Sequence, residues 1–471
     1  MKTIIITLLM FVSCHGIKAQ NKLTLQQAIQ MGIANNLDVK QSNLLMEKAD
    51  INLKQSRLQM LPNLNVTANH GINQGRSINP FTNAFITQNV SYATYGASSN
   101  ILLFNGSSLQ NLIKSNNLGY EASKMELQQA KDNLTINIIL AYLQVLSAEE
   151  VLESSRSQGE VTAKQVERLA TLNQSGAIQP SQYYDLKGQQ ANDDIAVANN
   201  VAALETAKLN LAQLLNIPYD KSMDVEKLPV ETYNVSYDEA PDKIYATALQ
   251  QFAQIKAVHY RTESAKKTIR SIQGQLYPSL YFSGNINTNY SSVATQSNYV
   301  NTTDVATNNY VVNNGTQLPV YASQDNYNIQ KIPYGSQLNN NRYTTFNLGL
   351  SIPIFNASQV RSKIKLAKID LENNELVEQS AKTLLQQSIE RAYVNLTNTT
   401  NIYKILADQV NSFGESFRAA ELKFNAGVIT SVDYLIAKNN LDKANINLIT
   451  AKYDYVLRAK ILDYYQGKAL W

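Results

Sequence analysis

The chain has 471 residues, 44% hydrophobic and 17% charged, too long to close around one core, so at least two structural units are expected. Its 41 Lys and Arg against 37 Asp and Glu give a net charge of +4 without a basic cluster, which excludes a nucleic-acid partner. His15, His70 and His259 lie far apart and the single cysteine is Cys14, so no metal centre, no thiol nucleophile and no cofactor is expected.

Lys2, the apolar run Ile4 to Val12 and the small and polar residues that follow read as a secretory signal peptide over residues 1–19. Two processing routes stay open: cleavage after Ala19, or lipidation of Cys14 in the context Phe11-Val12-Ser13-Cys14. By the first route the mature chain has no cysteine and no disulfide. Downstream, no apolar run approaches the roughly 18 residues of a spanning helix, which excludes an inner-membrane protein and leaves strands as the way across a membrane.

The rest of the chain is written twice. Residues 20–226 read as a helix, two strands and a long helical hairpin, and residues 227–471 repeat that order. Leu61-Pro62-Asn63-Leu64 returns as Tyr277-Pro278-Ser279-Leu280, 216 residues later. Leu103-Phe104-Asn105-Gly106 returns as Ile354-Phe355-Asn356-Ala357, and Gly176-Ala177-Ile178 as Gly427-Val428-Ile429, both 251 residues later. The difference is an insertion of 35 residues in the second copy, within the Asn/Thr/Ser/Tyr-rich segment Tyr290 to Asn341. As the longest connection between two strands, with six tyrosines, it is expected to be a partly ordered outside loop.

After Pro62, Leu64, Val66 and Ala68 alternate with polar residues, and Ala93, Tyr95, Ala97 and Ile101 do the same on the way back. The second copy repeats this with Leu280, Phe282 and Ile286, then Phe346, Leu348, Leu350 and Ile352. Segments of about 9–11 residues with one apolar and one polar face suit strands between lipid and water. Leu64, Val66, Tyr95, Ile101, Leu280, Phe282, Phe346, Leu348 and Leu350 are therefore expected to face lipid. Tyr277, Tyr343, Phe104 and Phe355 are candidates for an interfacial aromatic girdle.

Four strands cannot close a barrel, and open edges are not tolerated in lipid, so copies must combine. Two copies would give a barrel filled by its own side chains, whereas three or more leave a water-filled lumen.

Each strand pair leads into a helix of unusual length. Ser107 to Ser175 contains no proline, and Leu134, Ile138, Ala141, Val145, Ala148 and Leu152 form a heptad seam. Such a helix spans about 100 Å. Leu385, Ile389, Ala392, Leu396, Thr399 and Tyr403 carry the same phase in the second copy. After the glycine turns the chain returns on Val197, Leu204, Ala207 and Leu211, or on Leu441, Ala444, Leu448, Tyr455 and Leu462. A secreted coiled-coil structural or adhesive protein, its strands in a soluble sheet, is the alternative reading. No Ser/His/Asp, metal or phosphate-loop constellation appears, so no catalytic residue is expected.

The chain resembles the TolC-like outer membrane efflux proteins of Gram-negative bacteria over essentially all of its mature length. The resemblance rests on Leu23-Thr24-Leu25-Gln26-Gln27-Ala28-Ile29 with Asn35-Asn36-Leu37, on the two proline strand starts, on Phe104-Asn105-Gly106 and on both glycine turns, the second continuing as Thr430-Ser431-Val432-Asp433-Tyr434-Leu435. It implies an α+β membrane protein: a trimeric channel-tunnel with a shared twelve-stranded outer membrane β-barrel, four strands per protomer, and a long periplasmic coiled-coil tube. It also implies docking to a periplasmic adaptor (membrane fusion) protein and, indirectly, to an inner membrane pump of the RND or ABC type.

By residue type the glycine turns are helix C-caps. By the resemblance, Gly176, Ala177, Ile178, Gly427, Val428 and Ile429 form adaptor-contacting tips, with the apolar members exposed. Thr430 and Asp433 have capping-box spacing. The resemblance adds that an acid here faces the lumen at the closed periplasmic end, commonly with a second acid three residues on. That second position is Ile436, and its counterpart in the first copy is Asp185. Asp433 and Asp185 are therefore expected to share an acidic gate that crowds carboxylates at one constriction and attracts cations.

Overall fold

The computed structural model describes residues 22–78, 83–229 and 240–468; the leader over 1–19 and Cys14 lie outside them. The first half supplies α1 (Leu25–Asn35), α2 (Leu37–Leu58), β1 (Asn65–Asn73), β2 (Arg76–Ile78), β3 (Phe85–Thr87), β4 (Val90–Asn105), α3 (Ser108–Gln174) and α4 (Pro180–Leu215). The second half supplies α5 (Pro241–Gln251), α6 (Ala253–Gly274), β5 (Ser279–Ser291), β6 (Thr295–Asn313), β7 (Thr316–Lys331), α7 (Tyr334–Asn340), β8 (Tyr343–Ser351), α8 (Gln359–Asn425) and α9 (Ser431–Tyr465). The internal match reappears in the elements: α3 and α8 each run 67 residues, α1 and α5 each 11, and α2 and α6 each 22.

The chain divides into two compact units, each assembled from both halves. One comprises residues up to 51, 117–264 and 371 onward, and its described residues form helices, the connections between them and an isolated bridge. Its core packs the seam residues Leu134, Ile138, Ala141 and Val145 of α3 with Leu385, Ile389, Ala392 and Leu396 of α8. Leu211 and Leu215 of α4, Val456 and Leu462 of α9, Leu25 and Ala28 of α1, and Ile244 and Ala248 of α5 close around them. Tyr142, fully buried, reaches the carbonyls of Leu23 and Glu226 at 2.8 Å each, and so ties together the segments that begin and end the first repeat.

One exclusion made from the sequence needs correction. By length and composition α3 does contain an 18-residue window apolar enough to cross a membrane. Half of that window is buried inside the protein, and Ile138, Ile139, Tyr142, Leu143, Val145 and Leu146 of α3 belong to this core, which is why the stretch is so apolar.

The other unit, residues 52–116 and 265–370, carries the sheet. Its four antiparallel strands lie in the order β1-β4-β5-β8. Here the turn after β4 is built on close approach. Gly106 has φ +63°, and a Cβ there would sit 2.4 Å from the Gly274 carbonyl oxygen, so glycine is demanded by both backbone and space. The second copy makes the same left-handed turn with Ala357 and Ser358. The segment read as a partly ordered loop consists of the end of β5, a long two-stranded ribbon, β6 with β7, and the short helix α7.

Candidate functional site

Two places carry the chemistry, the faces of the four-stranded sheet and the glycine-turn ends of the helical hairpins. In the sheet, residues directly opposite in register share a face. Val66 lies opposite Ala97, Ala68 opposite Tyr95, Ile101 opposite Phe282, Phe282 opposite Leu348, and Leu280 opposite Leu350. Gly284 opposite Phe346 completes the pattern, so the residues read as lipid-facing fall on one face, with Leu64 in phase just ahead of β1. Phe282 and Phe346 stack there at 6.1 Å, and Phe346, Leu348 and Leu350 are each more than 60% exposed. An apolar face this continuous is not left to water.

The opposite face carries Asn65, Thr67 and Asn69 of β1, Thr94, Gly96 and Ser98 of β4, Asn285, Asn287 and Asn289 of β5, and Thr345 and Asn347 of β8. It offers hydrogen bonds to water and holds no charged side chain among these positions. Among the described residues, both outer strands, β1 and β8, have a partner on one side only.

The girdle expected from the sequence is corrected in part. Tyr343 lies opposite Asn287, on the polar face. Phe104 regains the apolar face opposite Leu280 because the register shifts between Leu102 and Phe104, a bulge that re-aims it. A second aromatic group was not read from the sequence: the hydroxyls of Tyr95 and Tyr334 lie 2.7 Å apart, and the Tyr290 and Tyr334 rings 4.5 Å apart. Buried Gln337 of α7 accepts from Ser291 N–H and donates to the Ser291 carbonyl, fixing α7 to the end of β5.

At the turns, Gly176 and Gly427 take φ +70° and +73°, and added Cβ atoms would meet nothing within 4 Å. Backbone conformation, not space, therefore favours glycine here. Ala177 N–H donates to the Leu172 carbonyl and Val428 N–H to the Lys423 carbonyl, each at 2.9 Å, which closes both helices as Schellman caps. Ala177 and Val428 are exposed. Ile178 and Ile429 are not the exposed contacts expected: both are half-buried against a cluster of Leu169, Leu186, Phe424 and Tyr434, because the ends of the two hairpins pack together and recruit them.

Thr430 and Asp433 form a reciprocal capping box, and Thr430 Oγ1 also donates to Asp433 Oδ2 at 2.7 Å. Asp185 instead accepts from buried Ser431 at 2.7 Å. The two acids are both exposed at the same end of the hairpins but bond different partners.

Sequence reasoning missed the buried charges beside them. Lys438, 2% exposed, bridges Asp193 at 3.1 Å and Asp442 at 2.6 Å. Thr162 of α3 also donates to Asp193, so α3, α4 and α9 share one polar knot. Burial pushes the Asp442 carboxyl above its ordinary range, against the opposing bond from Lys438. Burial likewise pushes the Tyr434 phenol up, and its hydroxyl has no hydrogen-bond partner among the described residues. The Lys438/Asp442 spacing was visible as an i, i+4 pair; Asp193, 245 residues away, was not.

The model of the outer membrane efflux protein family matches residues 28–216 and 244–467, well over half of the chain. The outer membrane protein TolC of Escherichia coli strain K12 is 22% identical over 333 residues, a stretch covering 70% of this chain and 60% of TolC. The outer membrane protein TolC of Vibrio cholerae serotype O1 is 24% identical over 413 residues, covering 85% of this chain and 81% of that protein. Among solved structures, the open state of the MtrE outer membrane channel of Neisseria gonorrhoeae has a TM-score of 0.73 at 16% identity, covering 95% of this chain and 89% of MtrE. The matched stretch thus spans about three fifths of the Escherichia coli relative, while the fold is shared over nearly the whole chain. The chain is an outer membrane protein and belongs to the outer membrane efflux protein family.

Proposed function

We propose that three copies of this chain, each built from the structural repeats 20–226 and 227–471, close their sheets into one twelve-stranded barrel and continue as a periplasmic helical tube. The assembly is a passive outer membrane conduit of a tripartite efflux or type I secretion system. An inner membrane pump of the RND or ABC type supplies the substrate through a periplasmic adaptor, and residues 1–19 direct export of the chain.

The observation that carries this reading is the sheet, apolar on one face, polar on the other and open at both edges. β1 and β8 each have nine residues, about half of whose backbone groups point off the edge. At several kcal/mol for each unsatisfied group in hydrocarbon, the open edges would cost tens of kcal/mol, so the partner strands must come from neighbouring copies. Three copies leave a lumen lined by Asn, Ser, Thr and Gly, wide and weakly selective.

Gating belongs to the tips. Gly176, Ala177, Ile178, Gly427, Val428 and Ile429 lie where an adaptor would bind, and Asp433 and Asp185 would ring the constriction. An adaptor opens the tube by binding the open arrangement better than the closed one. Alanine at both acids should raise single-channel conductance and relieve block by multivalent cations; unchanged conductance and block would remove them from the gate.

The membrane assignment is tested by Leu348→Arg against Asn347→Arg, neighbours on opposite faces of β8. Leu348→Arg should abolish recovery from outer membranes while Asn347→Arg inserts normally. Equal recovery would show that neither face meets lipid.

A further inference from the structure

The apolar face of the sheet changes character at the end of β5 opposite the one joined to α6. There Thr288 and Tyr290 continue that face, opposite Tyr95 and Ala93, and the short helix α7 packs on it. The Thr288 hydroxyl donates to the Leu338 carbonyl of α7 at 2.6 Å, and the Tyr334 hydroxyl lies 2.7 Å from that of Tyr95. Ala93 is fully buried there, whereas Phe346, Leu348 and Leu350 farther down the same face stand exposed. A helix thus sits on the outside of the sheet, where it meets lipid and not the lumen.

Its height matches a membrane boundary. From Leu280 to Tyr290 the strand rises about 25 Å, at about 3.3 Å per residue and a tilt of about 40°. The apolar band of a barrel is about 25 Å tall, so Tyr95, Tyr290 and Tyr334 stand where hydrocarbon gives way to headgroups.

Charge at this boundary has one sign. Continued by one residue beyond Asn287 opposite Tyr343, the register puts Arg342 opposite Thr288, on the outer face beside α7. Arg342 is exposed and has no ion pair among the described residues. His70, opposite Ala93, shares the face, and β1, β4, β5 and β8 place no Asp or Glu on it. Asp304 and Asp325, on the ribbon, accept instead from Ser323 and Thr302. An arginine without an acid, beside tyrosine hydroxyls at headgroup height, complements a phosphate.

We infer that Arg342, with Tyr95, Tyr290 and Tyr334 on and against α7, forms a binding site for the phosphate of lipid A, the anionic anchor of the outer leaflet. This rests on the reading above that the apolar face meets lipid. The arginine holds the phosphate, and the rings lie along the first part of the acyl chains.

The test is native mass spectrometry of the full-length protein extracted from outer membranes, with diphosphoryl lipid A added at rising concentration. The parent trimer should take up lipid A in preference to phosphatidylglycerol. Arg342→Gln should weaken that uptake about tenfold or more, as expected for one lost charge-assisted hydrogen bond. Arg76→Gln, at the same end of the sheet but stacked on the Phe85 ring at 4.5 Å, should leave it unchanged. Equal uptake by the parent and Arg342→Gln, an equal loss in Arg76→Gln, or equal uptake of phosphatidylglycerol would overturn the site. Displacement of lipid A by inorganic phosphate would also overturn it, since the free anion would then be the ligand. The same spectra report oligomer mass. A membrane-extracted trimer that takes up no lipid A refutes the site alone, whereas a chain recovered only as a water-soluble monomer refutes the reading beneath it.

Discussion

The two halves follow one plan and execute it with different chemistry. Both break their first helix at the same point, at Asn36 and, 216 residues later, at Phe252. Asn36 does so by accepting from the N–H groups of Asp38 and Val39. Phe252 has no such bond and is held by its ring, packed on Tyr464 at 5.0 Å and Tyr465 at 5.8 Å. The return helices differ further. α4 begins after Gln179 with Pro180 and no side-chain cap, whereas α9 begins with the Thr430–Asp433 box. Lys438 is buried between two aspartates, while its first-copy counterpart Lys187 is exposed. The difference teaches that one backbone geometry can be satisfied by different side-chain chemistry in each copy.

Features shared by the copies should therefore respond equally to substitution, and diverged ones unequally. The largest shared effect is expected in the barrel. Val66→Arg and Phe282→Arg stand at matching positions on the apolar face, and at about 2–4 kcal/mol per buried arginine, repeated in each copy of an oligomer, both should prevent assembly. Recovery of one variant but not the other from outer membranes would break the equivalence.

The largest unequal effect belongs to the lysines. Lys438→Met leaves the partly buried Asp193 and Asp442 without their cation and should cost about 2–3 kcal/mol, read as a lower melting temperature in detergent. Lys187→Met should fall within about 0.5 kcal/mol of the parent protein. A smaller asymmetry is expected at the helix starts: Thr430→Ala should cost about 1 kcal/mol, and Gln179→Ala close to nothing, by the same melting assay.

The smallest effect concerns pH. Burial holds the folded Asp442 carboxyl above its unfolded value of 3.8, so the native state takes up its proton first as pH falls. This group's contribution to stability accordingly rises as pH is lowered toward about 4, and is smallest at neutral pH. Asp442→Asn should flatten that part of a melting-temperature profile between about pH 4 and 7. A profile unchanged by the substitution would place the titration elsewhere.

Much of the fold could be read from the residues because it obeys strong periods. A heptad seam without proline locates α3 to within a residue, the same phase marks α8, and period-two alternation locates β1, β4, β5 and β8. The ribbon escaped because β6 is broken by two register shifts, between Tyr299 and Asn301 and between Ala306 and Tyr310, which erase its alternation. At the tips, the glycines and the capping box are local and were legible. The burial of Ile178 and Ile429 depends on two hairpins meeting, and the Lys438 knot on an aspartate half a chain away that is not its repeat counterpart, so no local pattern announces either.

The central claim is that this chain makes a water-filled conduit through copies of a four-stranded sheet. Planar-bilayer conductance of the purified protein, with oligomer mass measured on the same sample, tests it most directly. The account predicts discrete pore openings from a trimer. A water-soluble monomer that never opens a pore would contradict it and favour a secreted coiled-coil protein.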